Sequence, residues 1–296
     1  MKLGYIGLGK MGYNMVLRLH EKGHEVLAYN RSAEPREKIE KEIGIKTTDS
    51  LSSFKNLPSP RLIWLMVPEV AEDEIVKELT LILEKGDTII DGGNSFYKNT
   101  IRRGEMLDTY GIHFLDAGVS GGPRGAREGA CIMIGGDKEK FKELQSLFAD
   151  LSLPKAYRFF GSHGAGHFTK MVHNGIEYGM MQAIAEGFAV LKKSDFNLNL
   201  KEVADLYNNG SVIESRLVGW LASGYKKYGE DLQDVSSEVA HTGEGKWTVE
   251  TAKELNIPTP IIEGAYAFRL KSKEKPSYIG KVLSTLRNQF GGHSLK

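Results

Sequence analysis

Along the first half of the chain, short apolar runs rich in β-branched residues alternate with amphipathic stretches of helical period. This alternation predicts strands over residues 3–7, 25–29, 61–67, 88–91, 113–117, 131–135 and 157–160, with helices such as 11–22, 70–84 and 101–110 between them. Strands that take turns with helices build a doubly wound α/β sheet, mostly parallel, which binds ligands beyond the carboxyl ends of its strands. After Gly161-Ser162-His163-Gly164 the strand signal stops. Helical periodicity then predicts segments at 165–193, 201–208, 213–228, 246–255 and 261–272. The expected organisation is a sheet domain over 1–163 and an all-α domain over 164–296.

One stretch of the long helix has the wrong polarity for a core. Lys170, His173, Asn174, Glu177 and Tyr178 recur at i, i+3, i+4, i+7 and i+8, an arc of roughly 140° that a globular helix normally fills with apolar side chains. Buried titratable groups are costly unless paired or put to chemical use, so this face is expected to line a polar cavity. The plainer alternative is a solvated face with ordinary surface charges. Against it, Met171, Val172 and Ile176 on the other flank are joined by Gly175 and Gly179, which permit close approach of another backbone and weaken an exposed helix.

Composition removes several classes of function. The 296 residues are 41% hydrophobic and 26% charged, and 39 Lys+Arg against 38 Asp+Glu leave a net charge of +1. General attraction to nucleic acid or to an anionic membrane is therefore not expected, and an anionic ligand needs a local site. The single cysteine, Cys131, cannot form an internal disulfide, and the chain opens on a strand-like run where a secretory leader would be apolar. The cytoplasm is the expected compartment. Apolar runs such as 62–67 are too short to span a bilayer.

The first predicted strand runs into Gly7-Leu8-Gly9-Lys10-Met11-Gly12, which fits G-x-G-x-x-G between strand and helix. In that context the first glycine allows the tight turn, the second lets backbone N–H groups approach a pyrophosphate, and the third lets helix and strand pack. The second strand ends in Asn30-Arg31-Ser32, where NAD-preferring domains usually carry an acid for the ribose 2′-hydroxyl. Neutral and cationic donors suit a 2′-phosphate instead, so NADP is expected over NAD, with NAD the alternative. Val67, closing the third predicted strand, joins the cofactor set. The turns Asp91-Gly92-Gly93-Asn94-Ser95 and Gly118-Val119-Ser120-Gly121-Gly122-Pro123 expose backbone N–H groups and offer Asn94 and Ser120 to a polar ligand near the nicotinamide. Taken singly, either could be no more than a tight turn.

Together these pieces resemble the 6-phosphogluconate dehydrogenase family, within the wider β-hydroxyacid dehydrogenases, over nearly the whole chain. The narrower signals are Asp91 to Ser95, the Lys170-Met171-Val172-His173-Asn174-Gly175-Ile176-Glu177-Tyr178 string, Gly245-Lys246-Trp247-Thr248, and the tail Arg287-Asn288-Gln289-Phe290-Gly291-Gly292-His293. Relatives acting on small 3-hydroxy acids look different, with Asn-Asn after the lysine. The resemblance implies a Rossmann-like NADP-binding domain, and oxidative decarboxylation of 6-phospho-D-gluconate to D-ribulose 5-phosphate in the pentose phosphate pathway. It makes Lys170 the general base and Glu177 the acid that protonates the enediol carbon, without a metal. It assigns the substrate carboxylate to Ser120, Gly121 and Gly122, hydroxyls to His173 and Asn174, and the phosphate to Tyr178 and Arg269. Arg287 and His293 match a tail that reaches a partner's site, which implies at least a homodimer.

The chain resembles the short form, with one helical unit, and departs from the long form in places. Thr242 stands where long forms carry a phosphate-binding lysine, with Glu244 nearby; Pro123-Arg124 replace two acids, and Pro68 replaces a lysine near the cofactor. These departures keep open a dehydrogenase for another 3-hydroxy or sugar acid. A non-catalytic NADP-binding module is a remoter alternative.

Overall fold

The computed structural model describes residues 1–295 and resolves into two units, Met1–Met171 and Val172–Lys296. The first unit contains β1 (Lys2–Ile6), α1 (Lys10–Glu21), β2 (Glu25–Tyr29), α2 (Ala33–Ile43), β3 (Lys46–Thr48), β4 (Leu62–Leu65), α3 (Glu69–Thr80), β5 (Thr88–Asp91), α4 (Tyr97–Thr109), β6 (His113–Ser120), α5 (Gly122–Glu128), β7 (Ala130–Gly136), α6 (Lys138–Glu143), α7 (Gln145–Leu151) and β8 (Ser152–Gly161). The helix α8 (Ala165–Lys193) begins in this unit and continues into the second. The second unit then holds α9 (Leu200–Tyr207), α10 (Arg216–Tyr228), α11 (Glu244–Glu254), α12 (Pro260–Lys271) and α13 (Tyr278–Gly291).

The eight strands lie in the order β3-β2-β1-β4-β5-β6-β7-β8. Every pairing is parallel except the antiparallel one between β6 and β7. Strand order reverses at β1, whose neighbours are β2 and β4, and an open α/β sheet binds its ligand at such a switch point. Alternation along β4 shows why both faces of the sheet are apolar: Leu62 and Trp64 enter one buried cluster with Leu3, Tyr5 and Phe148, while Ile63 and Leu65 enter another with Phe54, Ile89 and Phe114. In the second unit, Met181, Phe188, Leu221, Tyr225, Leu283 and Leu286 form a separate core.

Two elements correct the sequence reading. β3 has no apolar run of its own and becomes a strand by pairing Lys46, Thr47 and Thr48 with Leu27, Ala28 and Tyr29. The stretch read as a tail from Arg287 is the end of α13, which stays helical to Gly291 because Leu283 and Leu286 anchor it in the core. No helix among the described residues is long and apolar enough to cross a membrane.

Candidate active site

At the carboxyl end of β1, Gly7 takes φ +104°, and a methyl group there would lie 2.3 Å from the Met66 carbonyl oxygen. Gly12 is equally constrained, since its methyl would fall 2.0 Å from the Gly7 carbonyl oxygen. These glycines are required by packing. Gly9 is different: a methyl there meets nothing within 4 Å, and the residue is exposed. Its side-chain-less backbone at the start of α1, with Lys10 and Met11 following, fits a pyrophosphate approaching the N–H groups of the helix terminus. Val67 sits just past β4, its Cγ1 3.1 Å from where a Gly7 methyl would be, so it borders the same turn.

Asn30 is committed to the fold at the end of β2. Its Oδ1 accepts from the Leu8 N–H at 3.0 Å and its Nδ2 donates to the Ser32 carbonyl at 3.1 Å, tying the glycine-rich turn to the end of the strand. Arg31 and Ser32 stand exposed beside it, at the amino end of α2.

Lys170 is set by backbone packing. Asp116, buried on β6, accepts from the Gly164 N–H at 2.9 Å and the His167 N–H at 2.8 Å, satisfying amides at the start of α8 that have no partner within the helix. Burial pushes the Asp116 carboxyl up, opposed by His167 and by those two N–H groups. Glycines allow the contact: methyls at Gly135 and Gly166 would lie 2.6 Å from Asp116 Oδ1 and 2.4 Å from the Met133 carbonyl oxygen. A methyl at Gly118 would lie 2.4 Å from Lys170 Cβ. From this seat, Lys170 Nζ donates to Asn94 Oδ1 at 2.6 Å. Ser120 ends β6, and Gly121 and Gly122, at φ +127° and +62°, turn the chain into α5. Gly118 and Val119, read as part of a turn, instead extend β6 and pair with Met133 and Ile132.

In the second unit Asn174 and Tyr178 of α8 have partners from α11 and α12. His173 Nδ1 and Asn174 Oδ1 are 2.9 Å apart. Asn174 Nδ2 donates to Glu244 Oε1 and Thr242 Oγ1 to Glu244 Oε2, each at 2.6 Å. Thr242 and Glu244 therefore form a bracket that orients Asn174. Close approach on this side uses Gly175, where a methyl would lie 2.7 Å from Thr248 Cγ2, and Gly179, where it would lie 3.2 Å from Ile261 Cγ2. Ile176 and Met180 point outward. Glu177 is half-buried, one turn beyond His173.

Tyr178, Arg269 and Arg287 make the most polarised part of this unit. The Arg269 guanidinium lies 3.3 Å over the Tyr178 ring centroid, and its Nη2 is 3.6 Å from Met181 Sδ. Arg269 is 4% exposed and Arg287 8%, and the carboxylates that oppose the lowering of both, Glu177 and Glu244, act through space without a salt bridge to either among the described residues. Burial lowers the Arg269 pKa to about 10; Tyr178 opposes the shift and Arg287 adds to it. Burial likewise lowers that of Arg287 and raises that of Tyr178. The Tyr178 hydroxyl is buried with no group in good hydrogen-bond geometry, although the Thr242 backbone lies near enough to oppose its shift. Arg287, on α13, lies near enough to Tyr178 and Arg269 of the same chain to act on both electrostatically. His293 packs edge-on against Phe290, with ring centroids 6.1 Å apart. Sequence reasoning passed over Asp116, whose role depends on distant backbone N–H groups. It also passed over His241, whose pKa is lowered first by burial and then by Arg269 and Arg287.

A dinucleotide-type turn at a sheet switch point, with a lysine held on an asparagine at neighbouring strand ends, defines an NAD(P)-dependent oxidoreductase. Residues 2–160 match the NAD binding domain of 6-phosphogluconate dehydrogenase and residues 166–289 its C-terminal domain. The chain is 44% identical over 295 residues to YqeC of Bacillus subtilis (strain 168), named as a candidate 6-phosphogluconate dehydrogenase, with 99% of each chain covered. It is 38% identical over 298 residues to the NAD(+)-dependent, decarboxylating 6-phosphogluconate dehydrogenase of Haloferax volcanii, covering 100% of this chain and 98% of that one. Among solved structures, the 6-phosphogluconate dehydrogenase of Plasmodium falciparum superposes with a TM-score of 0.83 at 32% identity, over 93% of this chain and 63% of that one. The chain belongs to the 6-phosphogluconate dehydrogenase family.

Proposed function

We propose that the protein oxidatively decarboxylates 6-phospho-D-gluconate to D-ribulose 5-phosphate and carbon dioxide, with NADP as the oxidant. The observation that carries this reading is the pair of buried arginines with no salt-bridged carboxylate among the described residues. Buried charge without a counter-ion is costly, and two guanidiniums beside the Tyr178 hydroxyl form a hydrogen-bonding set for a phosphate dianion. Arg269 remains charged at neutral pH, its pKa falling only to about 10. Thr242 and Glu244, which favoured an unphosphorylated sugar acid, are engaged with Asn174, and Glu244 offsets the arginine pair only through space.

On this reading Ser120 with the Gly121 and Gly122 backbone takes the substrate carboxylate, and His173 and Asn174 take hydroxyls. Lys170 removes the proton from the C3 hydroxyl, and Asn94 holds its Nζ in place. The bound nicotinamide supplies the hydride acceptor. Oxidation leaves a ketone β to the carboxylate. As carbon dioxide departs, the electrons of the C1–C2 bond move toward that ketone, and the protonated Lys170 stabilises the charge developing on its oxygen. Glu177 then delivers a proton to the enediol carbon. The two groups share one helix, seven residues and about 10 Å of rise apart, so each can serve a different carbon of a short chain. The reading places the enzyme in the cytoplasm. A homodimer that shares its tail, as the resemblance implies, would bring Arg287 and His293 to a partner's site.

The test is carbon dioxide release coupled to NADP reduction, with 6-phosphogluconate and gluconate compared. Release with the phosphorylated acid alone is expected; equal rates on both would remove the phosphate assignment. For the cofactor, Asn30 is used by the fold, so discrimination falls to Arg31 and Ser32. Losing one charge-assisted contact to a 2′-phosphate costs about 1.5–3 kcal/mol, roughly a 10- to 100-fold change. Arg31→Ala is expected to lower kcat/KM for NADP by about that factor and to leave NAD nearly unchanged. A wild-type enzyme that already prefers NAD would overturn the assignment.

A further inference from the structure

Beneath Asn94 lies a group of charges that no reaction step uses. Glu72 on α3 and Asp91 at the end of β5 are both 0% exposed. Glu72 Oε2 accepts from Ser95 Oγ and from Arg103 Nη1, each at 2.6 Å. Asp91 Oδ1 accepts from the Gly93 N–H at 2.9 Å. The other two oxygens, Glu72 Oε1 and Asp91 Oδ2, are buried, and no N–H or hydroxyl donor meets either of them. The two carboxyl groups lie close enough for each to shift the other's proton affinity. A hydrogen bond between them requires a proton on one of the two.

We propose that Glu72 is a permanently protonated carboxylic acid, donating from Oε1 to Asp91 Oδ2, and that this pair is a positioning device holding Asn94 against Lys170. The geometry is specific, because the residues on either side of Asn94 are each held by one member of the pair: Gly93 through its N–H to Asp91, and Ser95 through its hydroxyl to Glu72. The surrounding charges favour one shared proton. Arg103 is the nearest cation, and its Nε is already bonded to Asp73 Oδ1 at 2.6 Å, with Arg102 on the same carboxylate. Glu69 is spent on the Phe96 N–H and the Asn99 amide. Asp116 adds negative charge and accepts backbone N–H groups of α8. His167 Nδ1 lies 3.8 Å from Asp91 Oδ2 and bonds instead with Thr100 Oγ1 at 2.8 Å. A second full negative charge at Glu72 would have Arg103 as its salt-bridge partner at 2.6 Å, and burial with the neighbouring Asp91 still drives its pKa up to about 11.

The significance of the pair rests on Lys170 being the base, and the test separates the two claims. In wild-type enzyme at about pH 8, an infrared difference spectrum against Glu72→Gln should show the carbonyl stretch of a buried protonated carboxylic acid, far above the pH at which an ordinary glutamate loses its proton. Its absence would overturn the shared proton, whatever Lys170 does. Glutamine reproduces the neutral donor and acceptor, so Glu72→Gln should keep kcat on 6-phosphogluconate within about threefold. Glu72→Ala, which leaves Asp91 and Ser95 unbraced, should lower kcat at least about tenfold with the KM for NADP unchanged. Equal kcat in wild type and Glu72→Ala, or loss of turnover in Glu72→Gln, would overturn the positioning role. Should Glu72→Ala fail to fold, the infrared band and the glutamine variant still decide. If Lys170→Met keeps full turnover, it is the assignment of the base that fails, and the carboxyl pair is judged on the infrared band alone.

Discussion

Lys170→Met is expected to lower turnover by about 10²- to 10⁴-fold, the usual worth of a positioned general base, while leaving NADP affinity at its wild-type value. Methionine keeps the length and most of the apolar stem, so it should still pack where Lys170 Cβ abuts Gly118. What is lost is the amine, and with it the bond to Asn94 Oδ1. The glycine-rich turn and Arg31 are untouched, so cofactor titration by fluorescence should give an unchanged Kd. Full activity in this variant would remove Lys170 from the chemistry and assign the base to another group.

Glu177→Gln should separate the two halves of that reaction. The amide occupies the same volume and can still hydrogen-bond, but it has no proton to give to carbon. Reduction of NADP should proceed through a first turnover, while formation of ribulose 5-phosphate falls by about 10²-fold or more. The KM for 6-phosphogluconate should change little, because Arg269 is seated on the Tyr178 ring and Met181, and Glu177 acts on Arg269 and Arg287 through space. Rapid-quench measurement of NADPH and pentose phosphate in the same reaction checks this. Wild-type product formation would assign the proton to another group.

Most of the sheet was legible in the sequence because each central strand is a continuous apolar run bounded by turn residues. β3 was not, since Lys46-Thr47-Thr48 carries no apolar signal and owes its conformation to β2. α13 was missed in part because the motif in its last turns, from Arg287, drew attention away from Leu283 and Leu286, which settle its conformation. Within the candidate site, Lys170 and Asn94 could be found from local strings. Asp116 and Glu72 could not: one meets backbone N–H groups of a helix far along the chain, and the other acquires meaning only from Asp91, Ser95 and Arg103 around it. In the sequence Glu244 is only a departure from the long forms, whereas in the fold its two oxygens organise Asn174 and Thr242. A single sequence shows residue types at a spacing; it does not show which carboxyl oxygens are already occupied.

The glycines at 118, 135 and 166 join the first turns of α8 to β6 and β7 with no side chain between the backbones. A joint of that kind has no slack. Packed side chains can be traded for smaller or larger ones and let a helix slide by a fraction of an ångström; a joint of bare main chain offers no such adjustment, because every substitution at it adds atoms where none fit. The reach of Lys170 is therefore set by the length of its own stem. Redesign toward longer or shorter sugar acids would have to leave this end of the helix alone and work one to two turns further on, where Asn174 and Tyr178 are held by side chains that can be exchanged.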